Sequence, residues 1–276
     1  MPGKEGLRLA VLIDSDNTSA KWAKQILAEL AKYGTLTVKR AYGDWTTQNL
    51  VGWKPELHQH AIQPVQQFAY TVGKNSTDSA LIIDAMDLLY SGNLDGFCLV
   101  SSDSDFTRLA TRLREAGKTV YGLGWRKTPT AFISACDKFT FLEVLSEHPL
   151  DGTDDSPPPD RQEAQESVRT SNAAVTPFVP KLLDVREILA PAITGTSKES
   201  GWSSLSSVGS YIGKNHASFD PRNYGFTRLS ELVRTLPYVE VKEVPDTNNF
   251  IVLWVRLKSS KAGGRARSAT AKRGVS

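Results

Sequence analysis

Apolar runs and helical stripes alternate along the first 145 residues. The aliphatic run Leu9-Ala-Val-Leu-Ile13 is closed by Asp14-Ser-Asp16-Asn17-Thr18, which reads as a strand buried on both faces whose carboxyl end opens into a crevice. Trp22, Ile26, Leu27 and Leu30 follow at helical spacing, and Gly34 stops them. The β-branched stretch Thr35 to Ala41 predicts a second strand. Asp44 to Ala61 has a helical pattern despite Gly52 and Pro55, and Ile62 to Tyr70 predicts a third strand, which Pro64 confines to a strand start or a sheet edge. Ser79 to Tyr90 places Leu81, Ile82, Ala85, Leu88 and Leu89 on one face. A fourth strand, Gly96 to Val100, breaks into Ser101-Ser102-Asp103-Ser104-Asp105-Phe106, and Phe106, Leu109, Ala110 and Leu113 form the next helical stripe, closed by Gly117. Lys118 to Gly122 is a fifth strand. This alternation predicts an α/β fold, a parallel sheet flanked by helices.

The pattern changes after residue 148. Residues 149–180 are rich in Asp, Ser and Pro, include Pro157-Pro158-Pro159, and lack apolar periodicity, so they read as a flexible linker. Residues 181–258 recover a pattern. Val185, Ile188 and Leu189 predict one helix, Leu205, Val208 and Ile212 a second, and Phe226, Leu229, Leu232 and Val233 a third. Two strand-like runs, Tyr238 to Val244 and Phe250 to Leu257, complete a small α+β winged helix. Residues 259–276 form a basic, disordered tail.

Charge sharpens this division. The net charge of +3 conceals sixteen basic and sixteen acidic residues up to position 150, −4 over 151–180, +2 over 181–258, and +5 without any acid over 259–276. Cys98 and Cys136, the two cysteines, lie far apart in apolar segments, so a disulfide framework and thiolate ligation are disfavoured, and a reducing, cytoplasmic setting is expected. The N-terminus lacks a signal peptide's apolar core, and no apolar run approaches a membrane span.

The candidate chemistry lies at the strand ends. If strands one and four are parallel neighbours, Asp14, Asp16, Asp103 and Asp105 converge on one sheet edge. Asp78, in the first turn of the helix after strand three, reaches the same edge as a fifth carboxylate. Oxygen-rich, imidazole-poor sites suit Mg²⁺ or Mn²⁺, and His58, His60, His148 and His216 stand outside the motifs. The competing reading is helix capping by Asp, Asn and Ser. Two such motifs at two strand ends favour the metal, because crowded carboxylates raise one another's pKa unless a cation neutralises them. Lys74, Arg126 and Lys127 are loop cations within reach of phosphates. Tyr42, Trp45 and Trp125 are read as packing groups, and Asp84 as a supporting residue behind the acids.

Leu12-Ile-Asp14-Ser-Asp16-Asn17, Ala41-Tyr-Gly-Asp-Trp45, Gly73-Lys-Asn-Ser-Thr-Asp-Ser-Ala80, Ile83-Asp-Ala-Met-Asp87 and Val100-Ser-Ser-Asp-Ser-Asp-Phe106 resemble the NYN domain, LabA-like branch, over most of residues 7 to 145. The resemblance implies a PIN-like, Rossmannoid nuclease fold. It also implies that Asp14, Asp78, Asp103 and Asp105 bind divalent metal for RNA cleavage. Phe219-Asp-Pro-Arg-Asn-Tyr-Gly-Phe-Thr-Arg-Leu229 resembles the OST-HTH (LOTUS) module, which is found with NYN domains and linked to RNA binding.

Taken together, these readings predict a ribonuclease domain at 1–148, tethered through 149–180 to an RNA-binding winged helix at 181–258. Asn17 and Ser102 would orient water or substrate. Lys214, Arg222, Arg228 and Arg234 would contact phosphates. A LOTUS-like module can instead bind a protein partner, and nothing in the pattern specifies an oligomeric state. Two rivals remain. One reads Asp14-Ser-Asp16-Asn-Thr18 as the DxDxT of a haloacid-dehalogenase-like phosphatase with Asp14 as nucleophile, and the other is a non-catalytic RNA-binding adaptor.

Overall fold

The computed structural model describes residues 6–68, 76–145, 184–245 and 250–258. Lys74, the 149–180 segment and the 259–276 tail lie outside the described residues. In the N-terminal part, β1 (Leu7–Asp14), α1 (Ala23–Leu30), β2 (Gly34–Gly43), α2 (Trp53–Gln59), β3 (Gln63–Gln66), α3 (Ser76–Tyr90), β4 (Gly96–Val100), α4 (Thr107–Glu115), β5 (Thr119–Gly124), α5 (Thr130–Ala135) and β6 (Lys138–Phe141) follow in order. The six strands form one parallel sheet in the order β3-β2-β1-β4-β5-β6.

Alternation along β1 explains why the sheet is covered on both sides. Leu9, Val11 and Ile13 pack with Ile26 and Leu30 of α1 and Trp53 of α2, whereas Ala10 and Leu12 pack with Leu81, Ala85 and Leu89 of α3 and Leu109 and Leu113 of α4. β1 and β4 are neighbours, with Ile13 paired to Val100. β2 and β3 lie on one side of this pair, β5 and β6 on the other, so the winding reverses between β1 and β4. The loops leaving two strands at such a reversal separate and open a crevice.

Several elements differ from the sequence expectation for identifiable reasons. The helical pattern over 44–61 resolves into a 3-10 turn, Gln48–Leu50, and the short α2, with Gly52 at the break. Pro55 falls in the first turn of α2, where its missing N–H costs no helical bond. β3 is shorter than expected and lies at the edge, where Pro64 is tolerated. α5 and β6 are too short to show a period, and they extend the sheet to six strands.

The C-terminal part contains α6 (Val185–Thr196), β7 (Ser203–Ser204), α7 (Leu205–Asn215), α8 (Leu229–Thr235), β8 (Val239–Pro245) and β9 (Ile251–Leu257). Ile188, Leu189, Ala192, Ile193, Val208, Ile212, Val233, Val239 and Val255 form its core. α8 begins at Leu229, leaving Phe226 in the preceding loop, and the two-residue β7 adds to the expected hairpin in the order β7-β9-β8. Cys98 and Cys136 are buried and unbridged. Among the described residues no helix is long and apolar enough to cross a membrane.

Candidate metal centre and nucleic-acid interface

Asp14 is the last residue of β1 and sits one position beyond the Ile13–Val100 pair, so it faces Ser101 across the β1–β4 boundary. It is 1% exposed. The Ser101 hydroxyl donates to Asp14 Oδ2 at 2.7 Å and the Asn17 side-chain amide donates to the same oxygen at 2.8 Å, while the Asn17 backbone N–H reaches Oδ1 at 3.3 Å. Ser101 Oγ also accepts the Asp103 N–H at 3.1 Å, which links the turn after β4 to the end of β1. Burial pushes the Asp14 carboxyl up to about 6, against these hydrogen bonds, with the Asp16 charge adding to the rise.

Asp78 arrives from the opposite side. On a 3.6-residue helix it lies on the stripe that continues through Leu81, Ala85 and Leu89, all three buried against the sheet, so it occupies the top of the sheet-facing side of α3. Its carboxylate, with those of Asp103 and Asp105, offers oxygens that all lie within 4.8 Å of one another. Burial raises the Asp78 carboxyl to about 7, and the charges of Asp14, Asp103, Asp105 and Asp16 add to it in that order. Three carboxylate oxygen donors at this spacing make a donor set that fits a hard divalent cation, whose charge would offset the crowding that raises Asp78.

The acids also cap. Asp103 is the N-cap of the 3-10 turn Ser104–Phe106, with Oδ1 accepting the Asp105 N–H at 2.8 Å. Capping occupies one oxygen and leaves the other, so both roles coexist in one side chain.

The structure distributes the remaining predicted residues unevenly. Asn17 is bonded to Asp14. Ser102 accepts the Trp125 N–H at 2.8 Å and ties the β4 turn to the end of β5. Gly124 makes this approach possible, since a Cβ there would lie 2.5 Å from Ser101 O. The hydroxyl on Asp14 is therefore that of Ser101, which the sequence reading passed over; register across β1 and β4 is the signal that identifies it. Asp84 accepts from Arg40 Nη1 and Tyr42 Oη on β2. Tyr42 is fully buried, Trp125 meets Trp22 edge to face at 5.8 Å, and Trp45 donates to Val65 O at 3.0 Å.

Arg126 and Lys127 lie in the loop after β5, at the same sheet edge; Lys127 is exposed, and the Arg126 backbone is held by Glu143 Oε1 at 2.8 Å. Lys214 and Arg228 are exposed in the winged helix, and Arg234 pairs with Glu243. Arg222 is committed elsewhere. Its guanidinium donates to both oxygens of Glu29 on α1, at 3.0 and 2.8 Å, and to Asp220 at 2.6 Å. Close by, the Phe139 N–H of β6 donates to Ala217 O at 2.9 Å. Burial works against ionisation of Glu29, but Arg222, Lys32 and Tyr33 outweigh it and pull the carboxyl down to about 2. This ion pair therefore stabilises above the unfolded value near 4.5 and is lost as pH falls through about 2. Arg222→Ala is expected to lower stability by about 2–3 kcal/mol: Lys32 and Tyr33 still hold Glu29 and the residue-222 N–H still reaches Asp220, but the buried Asp220 carboxylate loses its guanidinium. Thermal melts at pH 7 measure this loss, and an unchanged melting temperature would count against it.

Two family models match the chain. The NYN domain model matches residues 8–143 and the OST-HTH/LOTUS domain model matches 181–251, together three quarters of the chain. Among solved structures, a protein of unknown function from Vibrio parahaemolyticus is 18% identical, covering 51% of this chain and 96% of its own, with a TM-score of 0.43. An uncharacterised Nitrosomonas europaea protein is 26% identical over 35% of this chain and 93% of its own, with a TM-score of 0.26. A segment of a Chromobacterium violaceum protein is 34% identical over 31% of this chain and 92% of its own, with a TM-score of 0.25. No curated protein matches the sequence. The chain is thus an NYN domain, of the PIN-like nuclease superfamily, followed by an OST-HTH/LOTUS domain of the RNA-binding kind.

Proposed function

We propose that this protein is a Mg²⁺- or Mn²⁺-dependent ribonuclease that hydrolyses RNA phosphodiester bonds at the aspartate cluster and captures its substrate through the winged helix. The observation that carries the reading is the approach of the Asp78, Asp103 and Asp105 carboxylates to within 4.8 Å at the β1–β4 crevice. These three residues would hold the cation, with Asp14 as the fourth acid. When bound, such a cation supplies a lowered pKa for water and charge neutralisation at the phosphate. Asn17 and Ser101 fix the orientation of Asp14, and its raised pKa lets it hold or release a proton near neutrality. Arg126 and Lys127 stand at the same edge for phosphate contact.

The phosphatase reading is less well supported, since a nucleophile 1% exposed with both oxygens accepting hydrogen bonds has poor access to phosphorus. The adaptor reading draws support from Asp103 capping its own turn. The deciding experiment incubates labelled single-stranded RNA with the full chain and Mg²⁺ or Mn²⁺, beside EDTA and Asp14→Asn controls. Metal-dependent cleavage lost in the variant is expected. Equal cleavage by both proteins refutes the site, and binding without cleavage favours the adaptor.

A further inference from the structure

The winged helix presents a second surface, formed by residues scattered over the last third of the sequence. Trp254 and Arg256 are two apart on β9 and share a face, opposite to the core residue Val255 between them. Across the sheet Lys242 of β8 stands opposite Trp254, and Ser204 of β7 flanks Trp254 on its other side. Trp202, just before β7, leans over this face. The Lys242 ammonium lies 4.2 Å from the Trp202 ring centroid, the Arg256 guanidinium 4.6 Å from the same ring, and the Lys198 ammonium 4.9 Å from the Trp254 ring. Both indoles are half-buried, and Lys198 and Lys242 are exposed. A cavity of about 310 Å³ lined by Glu240, Arg256, Leu257 and Lys258 opens at the end of this face. Past Lys258 the sequence carries five cations and no acid.

We propose that Trp202 and Trp254, with the exposed Lys198 and Lys242, form a platform for single-stranded RNA, Arg256 being held beside Trp202 by its ion pair with Glu240 at 2.6 Å. This rests on the RNA-binding reading of the winged helix and names where that binding occurs. An indole accepts any unpaired base by stacking, whatever its sequence. Cations held against the same rings are placed for the phosphates that flank a stacked base, and docking on the ring limits the entropy lost when long side chains are fixed. Lys198 and Lys242 are exposed beside the two indoles, and RNA offers both an unpaired base for the rings and phosphates for these ammonium groups. The platform is sequence-tolerant, and unpaired RNA, whose bases are free to stack, is preferred over duplex.

Fluorescence anisotropy of the full chain with a labelled twelve-nucleotide single-stranded RNA in EDTA tests the assignment. Trp202→Ala and Trp254→Ala are each expected to weaken binding about tenfold with the salt dependence intact. Trp254→Phe should stay within about threefold of wild type because it keeps a stacking face. Lys198→Ala and Lys242→Ala should each reduce the slope of log affinity against log salt by about 0.7. Wild-type binding that both tryptophan variants retain, with unchanged melting, overturns the platform and leaves the face for a protein partner. Absence of any wild-type binding removes the RNA-binding reading itself, and the platform with it. If Trp202→Ala unfolds, the exposed double variant Lys198→Glu with Lys242→Glu decides. Undiminished affinity at low salt then overturns the platform.

Discussion

Asp103→Asn or Asp105→Asn is expected to cut RNA cleavage by about two orders of magnitude while the metal-free protein melts no lower than wild type. Each change removes an anionic oxygen from a trio that lies within 4.8 Å. A hard cation that dehydrates reluctantly depends on such oxygens for its position. Loss of a few kcal/mol of charge stabilisation at the phosphate translates to roughly a factor of 100 in rate. The fold should tolerate the change. The Asp103 oxygen that accepts the Asp105 N–H survives in asparagine, which caps about as well as aspartate. Removing one negative charge also relieves Asp78, on which the charges of both residues act. Melts without metal, paired with cleavage assays, check the outcome. A variant that remains fully active, or that loses activity only by unfolding, would take its residue out of the site.

Acidity should control the same centre with opposite signs for stability and activity. The Asp14 and Asp78 carboxyls stand at about 6 and about 7, both above the ordinary 3.8. Between pH 4 and 7 the folded state therefore keeps protons that the unfolded chain has released. The metal-free protein loses stability as pH rises through that window. Metal binding must displace the same protons, so apparent metal affinity and cleavage should climb with pH through 7 and level off about one unit above the Asp78 value. Excess Mg²⁺ should move this limb to lower pH. Asp78→Asn should flatten the stability loss, and the difference between its melting curve and that of wild type across pH 5 to 8 isolates the effect. Parallel curves for the two proteins would contradict it.

The fold was legible because its signals are local. Aliphatic runs of strand length, closed by acids and set between helical stripes, read as buried strands, and a residue at the start of a helix that follows a parallel strand stands at the carboxyl edge. That logic places Asp78 beside Asp103 and Asp105, where their carboxylates lie within 4.8 Å. It failed where an outcome depends on register or on distant partners. Ser101 and Ser102 are indistinguishable as letters, and only the alignment of β4 with β1 assigns the first to Asp14. Asp84 looked like support for the acid cluster, yet one third of a helical turn directs it to Arg40 and Tyr42. Arg222 read as a phosphate contact because its partner, Glu29, lies 193 positions away. The tryptophan platform was equally hidden, since three strands must pair before Trp202, Lys242 and Trp254 become neighbours.

The two margins of the large sheet are closed by different means. At one side β3 is only four residues long and contains Pro64, which lacks an N–H to donate. At the other, the Phe139 N–H of β6 is already spent on Ala217 O from the winged helix. Short, proline-bearing or covered margins are poor templates for an added strand. The sheet is thereby guarded against edge-to-edge aggregation, and its backbone offers little for β-augmentation by an extended peptide. A ligand of this sheet would therefore meet side chains rather than an open backbone ladder, and the crevice between β1 and β4 is where those side chains converge.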